Sequence, residues 1–142
     1  MNKRLFLISC LLLIASSVAA ADHPCLRYEP EVVELQGEIQ REVSPGRPNY
    51  ESIENGDEPE VYWVLLLPQV VCVSGNSKDQ LNSETERDVK KIQLIITDYE
   101  KFRSIFGKNV FVKGELMHSF TGHHHTRVLL KVDSMTEGIT SH

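Results

Sequence analysis

VKKIQLIITDYEKFRSIFG, residues 89–107, holds the two changes of period on which the fold turns. Over Val89–Ile96 apolar residues alternate, with Ile92, Leu94 and Ile96 on one side, the pattern of a strand with a single core face. Thr97-Asp98-Tyr99-Glu100 then fits a capping box, Tyr99, Phe102, Ile105 and Phe106 form a helical stripe, and Gly107 can end the turn. The segment therefore predicts a strand followed by one short helix packed on a sheet.

Upstream, Glu31–Val43 alternates Val33, Leu35, Gly37 and Ile39 with Glu34, Gln36, Glu38 and Gln40, so one face is apolar and the other wet. Gly37 in the apolar face points to a bulge or bend. Ser44–Glu60 carries Pro45, Gly46, Pro48, Asn55, Gly56 and Pro59 and reads as a long loop. Val61–Val73 is almost continuously apolar, as expected of a strand covered on both faces, with Pro68 marking a break. Ser74–Asp88 is polar and reads as a mobile connection. Downstream, Asn109–Phe120 and about His124–Met135 read as two more strands.

Three strands, one short helix and two strands, with glycines inside the first (Gly37) and fourth (Gly114), predict an all-β protein with one short helix. An OB-fold-like five-stranded barrel is the leading architecture, and an open antiparallel sheet with one helix on its face is the alternative. The expected organisation is a signal peptide over 1–21, one domain over 22–136 and a flexible tail over 137–142.

The N-terminus has the zones of an export signal: Lys3 and Arg4, the apolar run Leu5–Ile14, then small residues to Ala21. The run is too short to cross a bilayer, and cleavage is expected near Ala20 or Ala21. Leu7-Ile8-Ser9-Cys10 has the residue types of a lipoprotein site but leaves almost no apolar stretch before the cysteine. Removal of the signal takes away two positive charges, moves the formal net charge from −5 to −7 and leaves Cys25 and Cys72 as the only cysteines. A disulfide between them is the natural expectation in an oxidising compartment; the rival reading makes Cys72 a nucleophile. The acidic balance argues against nucleic acid as a partner. Positive charge is concentrated after Val89 and negative charge before it, an asymmetry that could orient a protein partner.

The constellation that could carry chemistry is His123-His124-His125, with His118 upstream, because imidazole is a common metal ligand. A two-residue turn at Thr121-Gly122 would place His118, His123 and His125 on one face. The core faces decide otherwise. Val110, Val112 and Leu116 on one strand and Val128, Leu130 and Val132 on the other are all even-numbered, so opposed residues must sum to an even number and the loop must be odd in length. A three-residue loop, Thr121-Gly122-His123, then puts His118 and His124 on the core face at the rim and turns His125 outward near Met117 and Ser119. At most two rings converge, enough for weak zinc or copper binding at this loop or for a polar rim. The other candidate segment is the 45–60 loop, where Arg47, Asn49, Tyr50, Glu51 and Asp57 could contact a ligand. In an OB-fold this loop and the histidine loop flank one face, so the two are expected to be neighbours.

Cys25-Leu26-x-Tyr28-x-Pro30, Pro45-Gly46-x-Pro48-Asn49-Tyr50-Glu51-Ser52-Ile53, Gly56-Asp57, Cys72-Val73 and Thr121-Gly122-His123-His124-His125-Thr126 together resemble the family of small secreted bacterial proteins called domain of unknown function 4431. The resemblance implies a bacterial exported protein, located in the periplasm where the host has two membranes, and it carries no activity. The expected function is a non-catalytic binding module for a small molecule, glycan or periplasmic protein, with a weak metal or small-ligand site at the histidine loop. A protein-interaction or inhibitor module is the alternative. A metal-dependent hydrolase is disfavoured, because no Gly-rich phosphate loop, no serine with a placed base and no His-Glu-x-x-His spacing is present.

Overall fold

The computed structural model describes residues 24–138. The expected signal peptide and its cleavage position lie outside the described residues. The strands are β1 (Leu26–Arg27), β2 (Val32–Pro45), β3 (Pro59–Ser74), β4 (Glu86–Ile95), β5 (Asn109–His118) and β6 (Val128–Glu137). Between β4 and β5 lie one helical turn, α1 (Tyr99–Phe102), and a 3-10 turn at Arg103–Ile105. The fold class is the expected one, all-β with one short helix. β1 is an addition to the expected strands, and β6 begins four residues later than expected and continues through Glu137, which pairs with Val110.

One sheet contains all six strands in the order β1-β3-β2-β5-β6-β4, and an additional β3–β4 pairing joins its long strands into a cycle. β2 makes the cycle possible by changing neighbours along its length. Val32–Glu38 pair with β5, and Glu38–Pro45 pair with β3. The change falls beside Gly37, where a Cβ would sit 2.5 Å from the Leu66 carbonyl oxygen, so only glycine lets β3 approach at the bend. Pro68 lies where the β3–β4 register slips between Leu66 and Val71, the ladder position that a residue without an N–H tolerates.

The core-facing residues follow the alternation read from the sequence: Val33, Leu35 and Ile39 on β2, Leu65, Leu67 and Val73 on β3, Ile92 and Leu94 on β4, Val110, Val112 and Leu116 on β5, and Val128 and Leu130 on β6. Phe102 closes the core from the helix, while Phe106 stacks on Trp63 with ring centroids 4.1 Å apart. The helix is capped by Asp98, whose carboxylate accepts the Lys101 N–H, and not by Thr97. Glu100 does not complete a capping box but pairs with Arg103.

β3 is not covered on both faces throughout, since Val61 and Val70 are exposed. The exception is local. Val64, Gln93 and Leu129 are register neighbours on β3, β4 and β6, all three are buried, and they lie outside the main core cluster. What lies against that row is the histidine loop.

At the N-terminus the Cys25–Cys72 disulfide fastens β1 alongside β3, with Leu26 opposite Val73. The chain then crosses to β5, where the Glu29 N–H donates to the Leu116 carbonyl at 2.7 Å, and Tyr28 enters the core.

Candidate functional site

The loop between β2 and β3 is organised around Asp57. Its buried carboxylate accepts the backbone N–H groups of Asn49, Glu51 and Ser52, each at 2.8 Å. These donors, Ser52 foremost, hold its carboxyl below the usual value of 3.8. Asp57 therefore orders the loop from within, and its oxygens are engaged by the backbone. With the folded-state pKa below the unfolded one, this stabilisation is present above the unfolded value and is lost as pH falls through the folded value. Asp79, held down in the same way by the N–H groups of Asn82 and Leu81, acts in the same direction. Asp57→Asn is expected to make the fall of the melting temperature below about pH 4 shallower. Identical acid limbs in the two proteins would refute this role.

With the loop fixed, Tyr50 is presented outward in the left-handed region, at φ 59°, its N–H donating to the Gly46 carbonyl at 2.9 Å. That conformation costs a bulky residue roughly 1 kcal/mol. Its ring lies 5.0 Å from that of His123. Gly46, Arg47, Tyr50, Glu58, Glu60 and His123 line a cleft of about 310 Å³ between the two loops. The expected neighbourhood of the two segments is thus present, although Asn49 and Glu51 do not line the cleft.

The histidine loop spans residues 119–127, not three residues. Its length is odd and His118 faces Val128, so the pairs near it sum to an even number as the core faces require. The extra residues fold back over the row described above. The His125 N–H donates to the Gln93 side-chain oxygen at 2.8 Å, and the Gln93 N–H donates to Thr126 Oγ1 at 2.9 Å. The imidazole of His125 stacks on Tyr62 with ring centroids 4.0 Å apart, beside Ser44 Oγ and 3.9 Å from a Glu60 oxygen. Tyr62 donates to Glu42, which also pairs with Lys91. The His125 ring is thus mostly covered, packed against Tyr62 and not turned outward beside Met117 and Ser119. His124 is not on the core face of a strand: it sits in the loop, edge-on to Phe120 at 4.8 Å. Its Nδ1 is buried without a hydrogen-bond partner, and burial, aided by His123 and His125, pushes its pKa down.

The four histidines therefore go to separate places. His118, the last residue of β5, turns to the far side of the loop, where Nε2 lies 2.9 Å from Glu86 Oε1 and 4.0 Å from Glu84 Oε2. Among the described residues, Glu84, Glu86 and His118 form the only group of three or more His, Cys, Asp or Glu side chains close enough to share an ion. The 74–88 segment supplies this arrangement because it is tied down. Asn82 is buried, its side-chain oxygen accepts the His118 N–H at 2.9 Å, and Asp79 holds the turn that presents it. Glu84 and Glu86 are absent from the sequence-derived candidates because periodicity starts the strand only at Val89. Their i, i+2 spacing at a strand entrance is the available signal.

The closed pairing cycle, the Cys25–Cys72 disulfide and the polar cleft between two loops define a small β-sheet protein. Residues 91–136, which include the histidine loop, match the family model described as domain of unknown function (DUF4431), the family whose motifs the sequence resembles. No curated protein and no solved structure matches the chain.

Proposed function

We propose that this chain is a non-catalytic binding module, exported to an oxidising compartment such as the periplasm, that holds a small polar ligand of the glycan class in the cleft between the 46–58 and 119–127 loops. The observation that carries the reading is the approach of Tyr50 to His123, which joins residues more than seventy positions apart at one cleft. Arg47 and His123 offer donors, Glu58 and Glu60 offer acceptors, and Tyr50 offers a flat apolar face, the mixture that a sugar ring with its hydroxyls requires. The cycle β2-β3-β4-β6-β5, with the helix between its third and fourth strands in chain order, supports an OB-fold-like barrel, a fold that places ligands beside these two loops. The disulfide and the N-terminal export pattern support the compartment.

Titration of tag-free protein spanning residues 22–142 with oligosaccharides and peptidoglycan fragments tests the reading. Saturable binding is expected, weakened at least tenfold by Tyr50→Ala or Arg47→Ala, about the effect of losing one central contact. Silence across the panel would overturn the small-ligand reading and leave a protein partner in its place.

A further inference from the structure

We infer that Glu84, Glu86 and His118 form a site for a zinc-class divalent cation, at a place distinct from the two-loop cleft. The imidazole tautomer is decisive. His118 Nδ1 lies 2.9 Å from the Ser119 carbonyl oxygen, which can only accept, so Nδ1 carries a hydrogen. The neutral ring then presents the Nε2 lone pair to Glu86 Oε1 at 2.9 Å, and two acceptors at that distance repel unless positive charge joins them. A proton on the ring is one solution. A metal ion is the other, and the carbonyl at Nδ1 is the outer contact that orients a metal-binding histidine.

The spacing fits a small ion. Tetrahedral bonds of about 2.0–2.1 Å separate neighbouring donor atoms by roughly 3.3 Å. The two Nε2–oxygen distances, 2.9 and 4.0 Å, straddle that value, and the three donor atoms lie within 4.8 Å of one another. One nitrogen with two carboxylates selects zinc over calcium or magnesium, which favour oxygen alone.

A second observation is independent of these donors. The phenol oxygen of Tyr28 is buried without a hydrogen-bond partner in a residue only 5 % exposed, and its ring stands edge-on to His118 at 6.2 Å. The orphaned phenol thus belongs to a residue packed against the histidine of the cluster, an oxygen donor left without a protein partner beside it. The other Glu86 oxygen faces Arg127 at 3.4 Å, leaving Oε1 for the ion, while Glu84 offers its carboxylate from the exposed side of the cluster.

Isothermal titration of the same tag-free protein with zinc chloride, paired with Co²⁺ absorption spectroscopy, tests the site. One equivalent of zinc is expected, and Co²⁺ should show the visible bands of a four-coordinate nitrogen–oxygen site. His118→Asn should abolish uptake. Because that change touches a partly buried residue, the exposed Glu84→Gln is the safer variant, and it should weaken zinc at least tenfold while leaving glycan titrations unchanged. Replacing His123, His124 and His125 together with alanine should leave the zinc equivalent in place. Absence of zinc uptake would overturn the inference, as would uptake that Glu84→Gln leaves intact and the triple alanine variant removes.

Discussion

Serine at both Cys25 and Cys72 is expected to lower the unfolding free energy by roughly 4 kcal/mol, the chain-entropy value for a closed loop of this size. The bridge joins residues 47 positions apart. In a domain of this size that corresponds to a fall in melting temperature on the order of 10–20 °C. The effect should also be local. β1 has only two register pairs with β3, so hydrogen exchange at Leu26–Glu29 should approach that of free chain while the β2–β5 ladder keeps its protection. A loss below about 1 kcal/mol would mean that Tyr28 and the Glu29–Leu116 hydrogen bond hold the segment without the bridge.

Gly114→Ala carries the second large effect. A Cβ at this position would stand 2.0 Å from the Lys131 carbonyl oxygen and 3.0 Å from its carbon, so β6 backbone and not a flexible side chain obstructs it. Relief requires β5 and β6 to separate next to the register slip between Lys113 and Gly114, inside the core, at a cost of about 2–3 kcal/mol. Gly122, where a Cβ would meet nothing within 4 Å, is the control and should change by less than about 0.5 kcal/mol on substitution by alanine. Urea titrations should show a lower midpoint with an unchanged slope for Gly114→Ala. Equal midpoints for the two variants would show that β6 does not hold position 114 to glycine.

Periodicity and parity carry most of what is legible in the chain before it folds. The inward residues of β2, β4 and β5 lie where alternation puts them, and the cysteine pair needs only a count and a compartment. Parity makes the histidine loop odd but cannot fix its length, because the residues that hold the loop down, Tyr62 and Gln93, belong to strands distant in sequence. The same distance hides the Glu84–Glu86–His118 cluster, which forms only when the start of β4 meets the end of β5. Asp57 reads as a ligand contact because a loop carboxylate looks the same in sequence whether it faces a ligand or three backbone N–H groups. The Asp98 cap lies one residue from the expected position, within the ordinary spread of helix boundaries.

The change of neighbours along β2 bears on the order in which the protein can assemble. A strand shared between β3 and β5 ties the first half of the described chain to the second, and β6 alone supplies the pairing between β4 and β5. Until residues 128–137 arrive, two long strand edges stand open to any other chain that passes. A polypeptide with so many pairings remote in sequence should fold slowly and late, only once its last strand is free to dock.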